Sequence, residues 1–282
     1  MTANIKVSVD VNYSGVEMIL SSSSLKTMRI GGEDITHELI DSVEKHGYAI
    51  FNQCLSPELV ADAIREYELC MLSEPLHAQG SKFKPTDLVR APWRKQSIGS
   101  HSGNGEPYSQ VLQTTYFHSD DERFPSLSAI FSDMILLRNA LTGMRFDYGK
   151  NLDKDKFWNA CRMHHYPQGG GHMAAHRDTL FPDLLKNFKI PFIQIMVTLT
   201  SRGADFHTGG CYVVNSFGQK IFFETSNNAG TLVIFDGATI HGVDDVDPTE
   251  LLDFSSFKGR KALFVNLYKN LLPDENLDSN VY

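Results

Sequence analysis

Cysteine is scarce in this sequence. The 282 residues include only four cysteines, at Cys54, Cys70, Cys161 and Cys211. None of them lies at the CxxC spacing of zinc ribbons and redox motifs, and such wide spacing also disfavours a small disulfide scaffold. We therefore expect four free, buried thiols and a protein of the reducing cytoplasm.

Long apolar runs and an excess of basic residues are also missing. No stretch approaches the roughly 18–20 apolar residues of a membrane-spanning helix. The N-terminal residues lack the basic start and apolar run of a signal peptide, so none is expected. The formal net charge is -8, whereas nucleic-acid binding needs a basic face. We expect no membrane and no nucleic-acid partner, and the sequence leaves the oligomeric state open.

The N-terminal half carries the apolar spacing of helices. Apolar residues recur at helical spacing over residues 34–45, and residues 46–51 indicate a helix stop followed by a strand. Ser56 before Pro57 is a typical helix start. A further helix is predicted over about residues 125–141. We expect each helix to bury one face.

Residues 73–123 show no clear periodicity and are rich in polar residues, glycine and proline. A stretch of this length is more often functional or disordered than a plain connection. It contains Arg90 and Trp93, which could cover a pocket and bind a substrate. The alternative interpretation is an exposed loop that one tryptophan anchors.

The C-terminal half is dominated by strand patterns separated by turn residues. Strands are predicted over residues 157–166, 190–201, 211–215, 220–224, 231–236 and 262–268. Helices followed by short antiparallel strands predict a mainly β fold, a sandwich or barrel with a helical layer against one face.

Three residues of this half predict a metal site. His176 and Asp178 are two positions apart, so in an extended segment both side chains project to the same side. A later histidine, His241, can be brought to them by a neighbouring strand. Two imidazoles and one carboxylate on one face of an octahedron suit iron(II) and leave three positions open. We therefore predict His176, Asp178 and His241 as catalytic metal ligands.

The other histidines of this half fit a metal site less well. His172 and His176 are four residues apart, which on a helix would suggest a zinc hydrolase. The glycines at 169–171 oppose a helix, and no glutamate follows His172 as a general base. His164 and His165 are neighbours on a predicted strand, so at most one of them can face a pocket. Either is better explained as a hydrogen-bonded core histidine than as a ligand.

Over about residues 157–270 the sequence resembles the iron(II)/2-oxoglutarate-dependent dioxygenase superfamily. The matching pieces are the strand 162–167, the turn Gly169–Gly171, His176-x-Asp178, Gly209-Gly210, residues 229–237, His241-Gly242 and residues 259–267. The resemblance implies a double-stranded β-helix (jelly-roll) core packed against N-terminal helices. It also implies one dioxygenase domain, with helical and lid elements in 1–150, the core in 151–270 and a tail in 271–282.

The resemblance further implies a binding site for 2-oxoglutarate as co-substrate. Arg260 matches the position that pairs with its far carboxylate, and a guanidinium suits two-point contact with a carboxylate. Many members have Arg-x-Ser here, but this chain has Ala262, which leaves the second contact unassigned. Lys258 and Lys261 therefore remain competitors. Tyr166 matches a position that often donates a hydrogen bond to the co-substrate.

The implied activity is oxidation of an unactivated C–H bond with iron(II), 2-oxoglutarate and dioxygen, releasing succinate and CO2. Hydroxylation, desaturation or cyclisation would fit, on a small molecule such as an amino acid or a specialised metabolite. Arg162 could hold a carboxylate of the substrate or co-substrate, or make a structural ion pair. The alternatives are a cupin-like metal hydrolase or isomerase and a non-catalytic jelly-roll binding protein.

Overall fold

The computed structural model describes residues 16–21, 24–30, 32–101, 107–178, 190–224 and 229–270. The predicted tail, 271–282, lies outside these residues. The helices described are α1 Thr36–His46, α2 Pro57–Ser73, α3 Pro125–Leu141 and α4 Leu152–Asp155, with a 3-10 helix at Pro85–Val89. None of the helices in the described ranges is long and apolar enough to cross a membrane.

The strands account for most of the remaining regular structure. They are β1 Val16–Ser21, β2 Ser24–Ile30, β3 Glu33–Asp34, β4 Tyr48–Phe51, β5 Leu76–His77, β6 Trp93–His101, β7 Tyr108–Phe117, β8 Phe157–Pro167, β9 Gly171–His176, β10 Ile193–Thr198, β11 Gly210–Val214, β12 Lys220–Phe222, β13 Leu232–Asp236, β14 His241–Val246 and β15 Gly259–Lys269. Strands β1 to β3 form a small sheet, and the others form one large sheet of twelve strands.

The large sheet curls on itself into a jelly roll. Its C-terminal eight strands form two antiparallel halves, with strand orders β8-β15-β10-β13 and β9-β14-β11-β12. One buried apolar cluster contains side chains from both halves, such as Met196 and Phe264 from the first and Val213 and Val243 from the second. The two halves therefore face each other across this interior. The predicted mainly β fold with a jelly-roll core is confirmed.

Helices α2 and α3 cover the outer face of the first half. Val60 and Tyr67 of α2 and Phe131 of α3 belong to one buried cluster with Ile195 and Leu263 of the sheet. Each such buried side chain contributes about 1.5–3 kcal/mol to folding. Helices α1 and α3 lie at or within two residues of their predicted bounds, α2 begins at the predicted Pro57, and the predicted helical layer is present.

The sequence signals at the ends of α1 and α2 act as expected. The hydroxyl of Ser56 accepts a hydrogen bond from the Leu59 amide at 3.2 Å and caps α2. Gly47 ends α1 at φ 80°, a left-handed conformation that glycine adopts readily. A Cβ at this position would lie 2.5 Å from Oγ1 of Thr239, so glycine also allows the close approach of the β13–β14 turn.

Residues 73–123, which show no clear periodicity in the sequence, contain regular structure. Strands β6 and β7 form a long antiparallel hairpin, and β7 also pairs with β8 and β9. The hairpin lacks an apolar alternation because it buries polar side chains, among them Gln110, Gln113 and Thr115. Strands of the N-terminal half therefore extend the core sheet, and the division of the chain at residue 150 stays a prediction.

All four cysteines are buried and none forms a disulfide, which confirms the prediction. Burial raises the pKa of each thiol to about 12. Since the thiolate is the reactive form, these cysteines are chemically inert in the folded protein.

Candidate metal centre

The structure brings the three predicted ligands together at one end of the jelly roll. His176 ends β9, His241 begins β14, and the two are direct partners in the β9–β14 pair. The Asp178 amide donates to the Gly237 carbonyl at 3.1 Å, which holds the segment after β9 beside this pair. The ligand atoms all lie within 4.8 Å of one another. Nε2 of His176 is 3.9 Å, and Nε2 of His241 3.6 Å, from the Asp178 carboxylate.

Both imidazoles present the same nitrogen to the centre. Nδ1 of His176 lies 2.9 Å from the Ala174 carbonyl, and Nδ1 of His241 lies 3.0 Å from the Thr239 carbonyl. A carbonyl oxygen only accepts hydrogen bonds, so each Nδ1 carries the proton. The lone pair then belongs to Nε2, the atom that faces Asp178. Metal-bound histidines usually have such a partner for their other nitrogen, and the set therefore fits a divalent metal.

A buried chain of amides holds the carboxylate. Gln194 on β10 donates from Nε2 to Oδ2 of Asp178. The Gln194 carbonyl in turn accepts from Nδ2 of Asn266 on β15 at 3.2 Å. Gln194 and Asn266 are 3% and 1% exposed, so solvent cannot replace these bonds. The chain fixes one carboxylate oxygen and leaves the other for a metal.

Two aromatic rings enclose the histidines. Tyr108 stacks on His176 with ring centroids 4.2 Å apart and planes at 18°. Phe235 packs against His241 with centroids 4.6 Å apart. Burial, with Asp178 nearby, raises the pKa of the Tyr108 hydroxyl. The rings restrict rotation of the imidazoles and exclude water from one side of the centre.

Arg260 lies inside the jelly roll, opposite Tyr166 in the β8–β15 pair. It is fully buried, and its Nε is 2.8 Å from both carboxylate oxygens of Glu224. Burial by itself lowers the pKa of Arg260, but Glu224, together with Cys211 and Tyr166, more than offsets this and the pKa is raised. Nη1 of Arg260 has no acceptor among the described residues. The guanidinium thus keeps one buried donor for a further acceptor.

The other candidates for the co-substrate site differ in position. The Tyr166 ring is 5.1 Å from the Arg260 guanidinium, and its hydroxyl is 3.3 Å from Nδ1 of His164. Lys261 lies on the opposite face of β15 from Arg260, where its ammonium donates to the Phe257 carbonyl and burial lowers its pKa. Lys258 is exposed. Arg260, not either lysine, shares the interior with Tyr166.

The substrate-site candidates occupy different surroundings. Arg162 points into the interior, where Nη1 donates to the Tyr268 hydroxyl at 2.5 Å. Trp93 begins β6 and stacks on His77 at 3.6 Å. Arg90 is exposed, and its carbonyl accepts from Arg123. Within the described residues no hydrogen bond or ring contact joins Arg90 or Trp93 to the three ligands.

The adjacent histidines of β8 face opposite sides, as predicted. His164 faces the interior and packs on Phe264, with ring centroids 4.6 Å apart. His165 faces the helices, where it contacts Tyr67 edge-on, and its Nε2 lies 2.9 Å from the Lys258 carbonyl. Burial lowers the pKa of both imidazoles, that of His165 to about 3. Both are therefore neutral.

Three residues of the centre were missed in the sequence, namely Gln194, Tyr108 and Glu224. Gln194 carries a weak signal, since it is a polar residue at an interior position of an otherwise apolar strand. Tyr108 lies in the segment that was not recognised as a strand. Glu224 follows the short strand β12 and resembles any surface glutamate in sequence. Only their contacts in the fold reveal them.

Comparisons with known proteins support the fold. No protein-family model and no curated protein matches the chain. The structure is similar to a prolyl hydroxylase from Trichoplax adhaerens, solved with a hypoxia inducible factor peptide, with TM-score 0.53, 12% identity and coverage of 83% of this chain and 89% of that chain. It is also similar to a Pseudomonas putida prolyl-4-hydroxylase, with TM-score 0.50, 16% identity and coverage of 83% and 98%.

These likenesses define the class of fold. At such identities they show the fold alone, and the chain shares with these two hydroxylases the jelly-roll fold that the sequence resemblance implied. Because one fold hosts many activities, the residues of the site, and not the fold, determine the reaction.

Proposed function

We propose that this protein is a non-haem iron(II)- and 2-oxoglutarate-dependent oxygenase. The observation that carries the proposal is the convergence of Nε2 of His176, Nε2 of His241 and the Asp178 carboxylate within 4.8 Å. Two neutral imidazoles and one carboxylate form the ligand set of non-haem iron(II) oxygenases, with positions left for other ligands. The similarity of the fold to prolyl hydroxylases favours iron(II) over other divalent metals.

Arg260 and Tyr166 are the proposed binding residues for 2-oxoglutarate. Arg260 offers a buried N–H without an acceptor among the described residues, and its charge is retained by Glu224. A carboxylate is the acceptor that a guanidinium binds best. The Tyr166 hydroxyl would add a hydrogen bond from the neighbouring strand.

With iron(II), 2-oxoglutarate and dioxygen bound, the centre would oxidise an unactivated C–H bond of a substrate and release succinate and CO2. The protein's own part is positioning. Gln194 orients Asp178, the Ala174 and Thr239 carbonyls orient the imidazoles, and Tyr108 shields His176. Fixed ligands in a dry site leave the oxidation itself to the cofactors.

A small molecule such as an amino acid or a specialised metabolite is the proposed substrate, and hydroxylation the proposed outcome, with desaturation and cyclisation as variants. The net charge of -8 disfavours nucleic acid as a partner. Four free, buried thiols fit a protein of the reducing cytoplasm.

The test is anaerobic purification with iron(II), followed by metal analysis, calorimetric titration with 2-oxoglutarate, and succinate assay after admission of air. The expected result is one iron per chain, saturable 2-oxoglutarate binding and succinate release that Asp178→Ala abolishes. Stoichiometric metal without 2-oxoglutarate binding would indicate a cupin-like hydrolase or isomerase instead. Absence of stoichiometric metal would indicate a binding protein.

A further inference from the structure

Arg162 is a second arginine inside the jelly roll, separate from Arg260. It lies on β8 opposite Phe264 of β15 and Tyr116 of β7, and it is 9% exposed. Its guanidinium carbon lies 5.7 Å from the Phe264 ring centroid and 5.2 Å from that of Tyr268. The side chain is therefore held over the interior face of β15.

No carboxylate pairs with Arg162 in the described part of the chain. Its contacts are the hydroxyls of Tyr268 and Tyr116, and its Nε has no acceptor among the described residues. The other arginine described in this interior, Arg260, does pair with a carboxylate, that of Glu224. A buried cation with an unused donor is costly unless an anion completes it.

Arg162 and Asn266 lie on the interior faces of the adjacent strands β8 and β15. Asn266 is between Phe264 and Tyr268 on the interior face of β15, and it begins the amide chain that reaches Asp178 through Gln194. Arg162 and Asp178 are also within electrostatic range of each other. The Oδ1 atom of Asn266 is buried and has no donor among the described residues. Nε of Arg162 and Oδ1 of Asn266 are thus an unused donor and an unused acceptor on two adjacent strands of the interior wall.

We propose that Arg162 anchors the primary substrate, and that this substrate is a small organic carboxylate with an adjacent amino or hydroxyl group. The proposal rests on the proposed function, whose substrate class it names. Arg162 would bind the carboxylate in a charge-assisted contact, and Asn266 would accept from the amino or hydroxyl group.

A monoanion fits better than a phosphate. The region already contains the Asp178 carboxylate, and Arg162 supplies a single positive charge. A phosphate ester would bring about two negative charges at neutral pH, which one guanidinium cannot balance. A planar carboxylate matches the guanidinium edge. The interior wall beside Arg162 is otherwise aromatic, since Tyr116, Trp158 and Tyr268 form one buried cluster.

The test uses the iron(II)- and 2-oxoglutarate-loaded full chain without oxygen, so that binding is measured without turnover. Calorimetry compares a panel of α-amino acids and α-hydroxy acids with the primary amide of each. The expected result is that at least one acid binds about tenfold or more tightly than its amide, the size of one charge-assisted hydrogen bond. Arg162→Gln should remove this preference and leave the 2-oxoglutarate affinity within about twofold.

The control is Arg138→Gln, which removes another buried arginine. Arg138 lies on α3 and bonds to Asn139 and Asn159 on the far side of the sheet, so the acid preference should survive. If Arg162→Gln does not fold, Arg162→Lys replaces it in the test. This variant keeps the charge and should weaken, but not abolish, the preference for an acid over its amide. Acids that bind no better than their amides in the wild type would overturn the proposal.

Two outcomes separate this proposal from the proposed function. A loss of 2-oxoglutarate affinity in Arg162→Gln would overturn the substrate role, because Arg162 would then hold the co-substrate. A wild type that binds acids over amides but not 2-oxoglutarate would support the anion site and contradict the oxygenase function. The two readouts come from separate titrations of the same protein.

Discussion

His176 and His241 face each other directly across the β9–β14 pair, with ring centroids 4.3 Å apart and planes at 53°. Strand pairing, and not a loop, therefore sets their separation. Sites built on paired strands are held more precisely than sites on loops. The third ligand, Asp178, follows β9 by two residues and is tied to Gly237 just before β14.

We expect a divalent metal to stabilise the fold through this pair. Anaerobic iron(II), or manganese(II) as a redox-stable substitute, should raise the unfolding temperature of the wild type, since a ligand at about 100 times its Kd adds about 2.7 kcal/mol. His241→Ala should lose the shift. His172→Ala is the control, because His172 lies on β9, the strand of the ligand His176, but bonds to Gly170 and Ser109. An equal shift in both variants would place the metal elsewhere.

The Gln194–Asp178 contact gives a second prediction. Gln194→Leu removes the donor that fixes Oδ2 of Asp178, and loss of such an outer partner typically weakens metal binding about 10–100-fold. Metal affinity is measured by competition with a chelator. Gln113→Leu removes another buried glutamine, whose partners are Arg94 and Phe254, and should leave the affinity unchanged. Unaltered affinity in Gln194→Leu would show that Asp178 is held by other contacts.

Helices and apolar strands were predictable because the burial of one face places apolar residues at a regular spacing in the sequence. The predicted helix over about residues 125–141 coincides with α3, Pro125–Leu141. The pairing of His176 with Asp178 was also predictable, since side chains two positions apart on an extended segment project to the same side. Placing His241 beside them required the expectation that a neighbouring strand brings it there, because no local pattern links His176 to a residue 65 positions away.

The polar interior was not predictable in the same way. Strands β6 and β7 were not predicted, because their buried positions include glutamine and threonine and so lack an apolar alternation. The Arg260–Glu224 pair joins residues from different sheet halves, and many other acidic residues were equally available in sequence. Long-range polar contacts leave no periodic trace, so the partners of Arg260, Asp178 and Arg162 appear only in the fold.

Variants of the Arg260–Glu224 pair distinguish a role in 2-oxoglutarate binding from a role in protein stability. Removing either partner leaves the other as an uncompensated buried charge, which costs about 3–5 kcal/mol. Arg260→Ala and Glu224→Ala should therefore destabilise the protein to a similar extent in urea unfolding. Only Arg260→Ala should weaken 2-oxoglutarate binding to the iron-loaded protein, by about tenfold or more. Equal losses of 2-oxoglutarate affinity would assign both residues to a purely structural role.

His165 predicts how stability depends on pH. Burial, with the charge of Lys261 nearby, lowers the pKa of His165 to about 3 from its ordinary value of 6.5. Between these values the unfolded chain binds a proton that the folded chain does not. The contribution of His165 to stability is therefore complete above about pH 6.5 and is lost as pH falls, by up to about 1.4 kcal/mol per pH unit.

We expect His165→Asn to flatten this dependence. Urea unfolding of the variant between about pH 6.5 and pH 4 should show a shallower loss of stability than the wild type. The difference between the two proteins isolates His165 from His164, whose pKa is also lowered by burial, because His164 is present in both. His207→Asn is the control, since His207 is exposed and its loss should leave the slope intact. A wild-type slope retained in His165→Asn would mean that His165 also stays neutral in the unfolded chain, or becomes protonated in the fold.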